Sequence, residues 1–192
     1  MSMIEIRIHG RGGQGNVVAA NLLAMAAFAE GRYGQAFPNF GAERRGAPVV
    51  AFVRIADQPI LRRCQVQHPT YVIIQDEALL HVPGVLDGVL PGGGILINSS
   101  RPADQFDAAA PVSLVTLPAT ALAREHLGRP VPNTALLAAF LTLTGLLPGQ
   151  ALIKVLGQKF RGEVLARNEA LIAAAIQQVS ANQWQQPEVN HA

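Results

Sequence analysis

The feature that most constrains this chain is a glycine-rich turn between a strand pattern and a helix-forming stretch near the start of the sequence. Ile4, Ile6 and Ile8 alternate with charged residues, which is the period of a strand with one apolar face. The turn HGRGGQGN follows at once, and the next stretch, VVAANLLAMAAFAE, consists mostly of good helix formers and ends before Gly31. A strand, a tight turn and a helix in this order predict the opening unit of an α/β fold.

The rest of the chain continues the alternation of strands and helices. Short runs rich in β-branched residues predict strands at Val49 to Ile55, Tyr71 to Gln75, Ile95 to Ile97 and Val112 to Leu117. Helices are predicted at Ala119 to Leu127, Thr134 to Leu143, about Gln150 to Lys159, and Glu163 to Val179. The glycine- and proline-containing stretch from Gly34 to Pro48 is predicted to be a long ordered loop. We therefore expect a Rossmann-like, doubly wound, mainly parallel sheet with helices on both faces and a C-terminal helical extension.

Length and composition predict one folded domain. The chain has 192 residues, of which 49% are hydrophobic and only 15% charged, so it is too apolar and too weakly charged to stay disordered. We expect a single domain over residues 1–182 and a polar tail over residues 183–192. So few charges also favour a surface that is partly covered by partner subunits.

Several classes of function are disfavoured by simple counts. The formal net charge of +2 is too small to favour nucleic acid or an anionic membrane as a partner. The one cysteine, Cys64, provides neither a disulfide nor the four thiolates of an iron–sulfur cluster, and the five histidines lack metal-ligand spacing. Glu5 and Arg7 interrupt the apolar N-terminal stretch, so neither a signal peptide nor a membrane span is predicted there. We expect a cytoplasmic protein.

The turn satisfies the dinucleotide-binding pattern G-x-G-x-x-G through Gly10, Gly12 and Gly15. In that pattern the first glycine permits a tight turn, the second permits close backbone approach, and the third permits close packing of helix on strand. The unpaired N–H groups at the start of the helix would then bind an anion. The other interpretation is that the three glycines serve only the packing of the crossover.

The acidic residue that binds the ribose in a dinucleotide site is not where it is expected. No Asp or Glu occurs from Gly31 to Ala42, and the first candidate, Glu43, stands beside Arg44 and Arg45. NAD binding of the usual kind is therefore disfavoured. Two adjacent arginines on a glycine-flanked loop suit a phosphate or a carboxylate, for example a phosphate of CoA. Pairing with acidic groups of a neighbouring subunit, or simple solvation, explains them equally well.

No catalytic residue is predicted. His9 ends the first predicted strand, where a structural hydrogen bond is favoured over a role as general base. Asp76 and Glu77 follow another strand, where they are either a functional carboxylate pair or the cap of the next helix.

Two sequence blocks resemble the γ subunit of pyruvate:ferredoxin oxidoreductase and its 2-oxoacid relatives. One is the turn G-R-G-G-Q-G at Gly10 to Gly15, and the other is Q-A-F-P-x-F-G-x-E-R-R-G-A-P from Gln35 to Pro48. A weaker resemblance continues through PGGGILINSS, PNTALLAAFLTLTG and LIKVLGQKF, so it spans nearly the whole chain.

The resemblance implies a subunit of a complex that oxidatively decarboxylates a 2-oxoacid to an acyl-CoA. The complex would use thiamine diphosphate, magnesium and [4Fe-4S] clusters on α-, β- and δ-type partners, with ferredoxin or a flavin- or NAD-linked subunit as acceptor. This chain alone would bind no cofactor, would be inactive alone, and would help to enclose the active site and contribute to the CoA site. The implied cofactor-binding residues are Gly10, Arg11, Gly12, Gly13, Gln14, Gly15, Glu43, Arg44, Arg45 and Gly46.

Two alternatives remain open at this stage: a free-standing Rossmann-type NAD(P)-dependent dehydrogenase and a regulatory nucleotide-binding module. The missing ribose-binding acid disfavours the first, whereas the second would bind a phosphate ligand without needing partners. The substrate also stays open among pyruvate, 2-oxoglutarate, and branched-chain or aromatic 2-oxoacids such as phenylglyoxylate.

Overall fold

The computed structural model describes residues 3–39, 46–107 and 111–184. Six strands and five α-helices lie in these parts of the chain. The strands are β1 (Ile4–Arg11), β2 (Tyr33–Asn39), β3 (Pro48–Ala56), β4 (Tyr71–Ile74), β5 (Gly94–Asn98) and β6 (Ser113–Leu117). The helices are α1 (Asn16–Ala29), α2 (Ala119–Leu127), α3 (Asn133–Thr144), α4 (Gly149–Lys159) and α5 (Gly162–Gln177). Two short 3₁₀ helices cover Glu77–His81 and Ala103–Gln105.

The strands form one mixed sheet in the order β2-β3-β1-β4-β5-β6. Neighbouring strands from β1 through β4 and β5 to β6 are parallel, whereas β3 runs antiparallel to both β1 and β2. The α/β class expected from the sequence is confirmed. The parallel pairings join β1, β4, β5 and β6. The other half of the sheet is antiparallel, because β3 lies between β1 and β2 and runs opposite to both.

The expectation of helices on both faces is wrong for the described residues. All five α-helices pack in one apolar cluster against the face of β1 that carries Ile4, Ile6 and Ile8. A smaller cluster on the other face joins Val72 and Ile74 to Leu79 of a 3₁₀ helix. No α-helix covers that face within the described residues, because the link from β4 to β5 consists of a 3₁₀ helix and turns. No helix of the described segments is long and apolar enough to cross a membrane.

The stretch predicted as a loop from Gly34 to Pro48 begins as the edge strand β2. Residues up to Asn39 pair with β3, and the Phe37 and Phe52 rings lie 5.2 Å apart between their centroids. Pro38 is tolerated because an edge strand has no second neighbour to which its missing N–H would donate. Cross-strand packing therefore overrides the local turn signals, and the rest of the predicted loop up to residue 45 lies outside the described residues.

A buried arginine fixes this edge of the sheet, and nothing in the sequence pattern singled it out. Arg54 of β3 is 1% exposed. Its Nε donates to Glu5 Oε1 at 2.6 Å, its Nη1 to Gln35 Oε1 at 3.0 Å, and its Nη2 to the Cys64 carbonyl at 2.7 Å. These hydrogen bonds give each guanidinium nitrogen of Arg54 an acceptor, and without them the buried charge would be costly.

The packed part of the chain extends to at least residue 184, beyond the predicted domain boundary at residue 182. Trp184 is only 3% exposed, and its ring stacks on Tyr71 with 5.5 Å between the centroids. It also lies against Gly94, where an added Cβ would come within 2.5 Å of the indole. The large aromatic area of Trp184 explains its burial in a stretch of otherwise polar residues.

Two basic side chains of β1, the buried Arg7 and the half-buried His9, lie on the face opposite the helices. Arg7 is 7% exposed, and its Nη2 donates to the backbone oxygens of Val85 at 3.2 Å and Asp87 at 2.5 Å. His9 lies two residues further along β1, and its Nε2 is buried without a partner in the described parts of the chain. Burial, with a smaller contribution from Arg7, lowers the pKa of His9 from 6.5 to about 4.

Replacing Gly94 with alanine is expected to destabilise the domain by about 1–3 kcal/mol, because the new Cβ would overlap the indole of Trp184. The matched control is Gly157→Ala in α4, where the nearest atom to an added Cβ is Leu165 Cδ2 at 3.8 Å. That control should be neutral or slightly stabilising, since alanine favours a helix over glycine. Urea unfolding of both variants measures the difference, and equal stabilities would contradict the proposed packing.

The free energy of unfolding should fall as the pH is lowered from about 6.5 to 4. Over this range the unfolded chain takes up a proton at His9 that the folded chain does not, which corresponds to a loss of about 3 kcal/mol at 1.36 kcal/mol per pKa unit. Urea unfolding at several pH values should show this loss reduced in His9→Asn and retained in His68→Asn, because His68 is exposed. An unchanged pH dependence in His9→Asn would contradict the assignment.

Candidate functional site

The glycine turn joins β1 to α1 and is closed by one side chain. Gly13 and Gly15 have φ values of 95° and 82°, in the left-handed region that favours glycine. The Gln14 N–H donates to the Arg11 carbonyl at 3.0 Å, while Gln14 Oε1 accepts from the Arg11 N–H at 2.7 Å. The Gly12 N–H donates to the Ala47 carbonyl at 3.0 Å, which attaches the turn to the residues just before β3. Gln14 is thus a structural part of the motif.

Gly10 is required by the close approach of an asparagine. An added Cβ at Gly10 would lie 2.2 Å from Asn16 Oδ1, and Asn16 is itself buried. Asn16 Nδ2 donates to the Val49 carbonyl at 2.8 Å, so the start of α1 is bonded to β3 across the turn. The space that the first glycine leaves free is therefore occupied by a side chain of this chain.

Arg11 connects three segments at the end of β1. Its Nε lies 2.6 Å from Asp76 Oδ2, just after β4, and its Nη1 donates to the Gly46 carbonyl at 3.2 Å. Asp76 Oδ1 in turn accepts from the Ala78 N–H at 3.0 Å and caps the 3₁₀ helix that begins at Glu77. Arg11 and Asp76 remain about one third and one quarter exposed, so both side chains are within reach of a partner or a ligand.

This ion pair lies at the topological switch point of the sheet. From β1 the chain crosses to β2 and β3 on one side, whereas β4, β5 and β6 extend on the other. β1 and β4 are parallel neighbours, so their carboxyl ends border the crevice where ligands bind in open α/β sheets. At this crevice, Arg11 is one of the predicted binding residues, and Asp76 was predicted to be either a helix cap or a functional carboxylate. Asp76 proves to be the cap and also the partner of Arg11.

Polar side chains continue along the carboxyl ends of the next strands. Ser99 Oγ donates to Glu77 Oε2. Asn98 Nδ2 donates to Thr120 Oγ1 at 2.7 Å and accepts from the Thr120 N–H through Oδ1 at 3.1 Å. Glu77 was predicted as one of a possible carboxylate pair, whereas Asn98 and Ser99 were not predicted as site residues, although both directly follow the strand predicted at Ile95 to Ile97. These hydrogen bonds form two separate pairs, Ser99 with Glu77 and Asn98 with Thr120, along this polar edge of the sheet.

The sheet order explains why the ribose-binding acid is absent from its usual place. In a dinucleotide-binding fold the strand next to β1 is parallel and carries the acid at its carboxyl end. Here the neighbour is the antiparallel β3, so Arg11 pairs with Pro48 at the start of that strand. The geometry therefore agrees with the sequence in disfavouring a conventional NAD site.

Of the four loop residues predicted to bind a cofactor, Gly46 alone lies in the described part of the chain. Its φ is 83°, and its carbonyl accepts the bond from Arg11 noted above. Glu43, Arg44 and Arg45 fall outside the described residues. Gly46 and Ala47 nevertheless fix where the loop returns, because both are hydrogen-bonded to the glycine turn.

The start of α1 is equipped to bind an oxyanion. Gly15 is the N-cap, no side chain of the described segments caps the helix, and its first turn contains no acidic residue. The first N–H groups of a helix have no intrahelical acceptor and carry the positive end of the helix dipole. Three or more His, Cys, Asp or Glu side chains suited to a metal ion were not found together among the described residues.

Comparison with known proteins places this chain in a family. Residues 5–178 match the family model described as pyruvate ferredoxin/flavodoxin oxidoreductase. The pyruvate synthase subunit PorC of Methanothermobacter marburgensis is 49% identical over 166 residues, covering 86% of this chain and 92% of the relative. The common gamma subunit of the pyruvate/ketoisovalerate oxidoreductases of Thermococcus litoralis is 44% identical over 169 residues, covering 86% and 91%.

A solved structure agrees with these sequence matches. The crystal structure of the pyruvate oxidoreductase subunit PORC of Thermotoga maritima superposes with a TM-score of 0.84 at 34% identity, covering 95% of this chain and 99% of that one. The resemblance carried by the glycine turn and the arginine loop is thus confirmed over nearly the full length of the fold. This chain belongs to the pyruvate ferredoxin/flavodoxin oxidoreductase family, as a member of its gamma, or PorC, type.

Proposed function

We propose that this chain is the γ subunit of a cytoplasmic complex that oxidatively decarboxylates a 2-oxoacid to an acyl-CoA. The α-, β- and δ-type partners would hold thiamine diphosphate with magnesium and the [4Fe-4S] clusters, and ferredoxin or a flavin- or NAD-linked subunit would accept the electrons. The observation that carries the proposal is the match to gamma-type relatives, each of which is covered over more than nine tenths of its length.

The division of labour follows from the residues that the chain provides. One cysteine supplies one thiolate, so the clusters belong to other subunits. Cys64 is exposed and lies beside Arg54, whose Nη2 donates to the Cys64 carbonyl, away from the glycine turn. The role left for this chain is to cover the active site and to bind part of a substrate.

CoA is the substrate that the crevice residues fit best. The unpaired N–H groups at the start of α1 suit a phosphate, which needs several donors and favours the positive end of a helix dipole. Arg11 adds a charged donor that is oriented by Asp76 and remains partly exposed. We propose that the turn from Gly10 to Gly15 and the loop residues Glu43, Arg44, Arg45 and Gly46 together hold the phosphates of CoA, while CoA supplies the thiol that accepts the acyl group.

The bond network at the turn gives this binding role a physical basis. Gln14, Gly12 and Arg11 fix the turn to β1, to Ala47 and to Asp76 before any ligand arrives. Donors that are already in place lose little conformational entropy on binding, so a larger part of the interaction energy appears as affinity. Gly46, the residue after Arg45, accepts a hydrogen bond from Arg11 through its carbonyl, which supports a site shared by the turn and the loop.

Purification of the tagged chain from its native host under anaerobic conditions should recover defined partners. Intact-complex mass spectrometry is expected to show a thiamine-binding subunit and a cysteine-rich subunit in fixed stoichiometry with this chain. The purified complex should reduce ferredoxin, or a flavin- or NAD-linked acceptor, with a 2-oxoacid and CoA. Recovery of a homo-oligomer alone would contradict the proposal and favour a free-standing nucleotide-binding module.

The double substitution of Arg44 and Arg45 by alanine is expected to raise the KM for CoA. Loss of charge-assisted hydrogen bonds to phosphate should raise it by about tenfold, with a change of less than about twofold in the KM for the 2-oxoacid. Steady-state kinetics of the purified complex measures both values.

The matched control is the double alanine substitution of Arg62 and Arg63, an adjacent and exposed arginine pair in another loop. It should leave both KM values unchanged. Equal effects of the two double variants on CoA would contradict a phosphate-binding role for Arg44 and Arg45. Dissociation of the complex in the Arg44 and Arg45 variant, seen by native mass spectrometry, would instead assign these arginines to a subunit contact.

A further inference from the structure

We propose that a groove on the helical side of the glycine turn binds an oxyanion attached to a short apolar chain. The groove has a volume of about 310 Å³ and lies between the starts of α1 and α3, the end of α4 and the start of α5. It borders the Arg11–Asp76 crevice through the turn residues Gly13 and Gly15, but neither Arg11 nor Asp76 lines it.

The walls of the groove are apolar and partly exposed. Leu22 and Leu156, 2% and 1% exposed, form its buried apolar part. Val18, Phe160 and Val164 line it with exposed fractions of 49%, 38% and 45%, which are high for such side chains. Three large apolar side chains at one opening favour an apolar ligand or an apolar part of one.

One buried polar side chain is directed at the glycine turn. Asn133, at the start of α3, is 7% exposed, and its Oδ1 accepts hydrogen bonds from the N–H and the hydroxyl of Thr134. Its Nδ2 lies 2.8 Å from the position that a Cβ of Gly15 would occupy, and both residues line the groove. Within the described chain Nδ2 has no acceptor, so this amide donor at the groove is available to a ligand.

The two charged residues that line the groove are both arginines. Arg129 and Arg167 line it, and no acidic residue of the described chain does. Arg167 is paired with Glu163, whereas Arg129 is exposed and forms no ion pair within the described segments. α1 and α3 both begin here, neither has an acidic residue in its first turn, and both direct positive dipole ends to this region. These features together select an anion for the polar end of the groove.

The groove is large enough for a small amphiphile. Its volume is about 310 Å³ and it is partly open to solvent, so a carboxylate or phosphate bearing a medium-length alkyl chain fits it. The oxyanion would contact Asn133 Nδ2 and Arg129 beside Gly13, where an added Cβ would meet nothing within 4 Å. The alkyl chain would lie along Val18 and Phe160.

The inference goes beyond the proposed CoA role and does not require it. The CoA proposal depends on the loop arginines and is measured by the KM for CoA in the assembled complex. The groove is tested by direct binding of simple alkyl oxyanions to the full-length chain, so failure of one leaves the other standing.

Octanoate and hexyl phosphate are the two probes, and each is titrated into the full-length chain by calorimetry, with 1-octanol as the uncharged comparison. Saturable binding of at least one oxyanion is expected, at least about tenfold tighter than 1-octanol. Binding of octanoate but not hexyl phosphate would identify a carboxylate as the natural head group. The reverse result would identify a phosphate.

Two variants locate the binding. Arg129→Gln should lower the affinity for the probe by about three- to tenfold. Asn133→Asp replaces the amide donor by a negatively charged group of the same shape and should lower the affinity by at least about tenfold. Arg124→Gln, an exposed arginine of α2 outside the groove, is the control and should bind as the unaltered chain does. Because Arg129 is exposed, Arg129→Gln is expected to fold, and it tests the location of the site even if Asn133→Asp does not fold.

Absence of saturable binding by both probes would overturn the inference. So would equal binding of 1-octanol and the oxyanions, or probe affinities that Arg129→Gln and Asn133→Asp leave unchanged.

Discussion

The ion pair between Arg11 and Asp76 holds together the three chain segments on which the rest of this site depends. It joins the end of β1 to the end of β4 at 2.6 Å, and through the Gly46 carbonyl it also reaches the residues before β3. Because β1 and β4 are the parallel neighbours at the switch point of the sheet, the pair sits where this class of fold binds ligands. The same carboxylate caps the next 3₁₀ helix, so one residue orients the arginine and fixes the local backbone.

The glycine turn borders different parts of the structure on its two sides. Gly10 and Gly12 lie toward β3, where Asn16 fills the space beside one and Ala47 accepts a bond from the other. Gly13 and Gly15 face the helices and the groove that Asn133 enters. A motif that reads as a single phosphate-binding pattern therefore borders two distinct spaces. This arrangement follows from placing all five α-helices on one face of the sheet, which brings the start of α3 against the start of α1.

Much of the fold could be predicted from local pattern. The alternation at Ile4, Ile6 and Ile8 and the helix formers after Gly15 gave β1 and α1 nearly as they are, because their periods match one buried face each. β2 was missed because Gly34 and Pro38 are local turn signals, whereas pairing with β3 and packing on α1 decide the outcome. The expectation of α-helices on both faces was wrong. A sequence shows that two strands are joined by a crossover, but not which face of the sheet the crossover covers.

The sequence by itself determined the α/β class, the family and the two motif blocks, since glycines at a strand-to-helix turn and an adjacent arginine pair are local chemical facts. Only the tertiary structure decided that β3 stands between β1 and β2, that Asp76 is the partner of Arg11, and that Asn133 faces Gly15. Asp76 lies 65 residues from Arg11 along the chain. Contacts over such separations arise from the packing of whole elements, and no local pattern of residues encodes them.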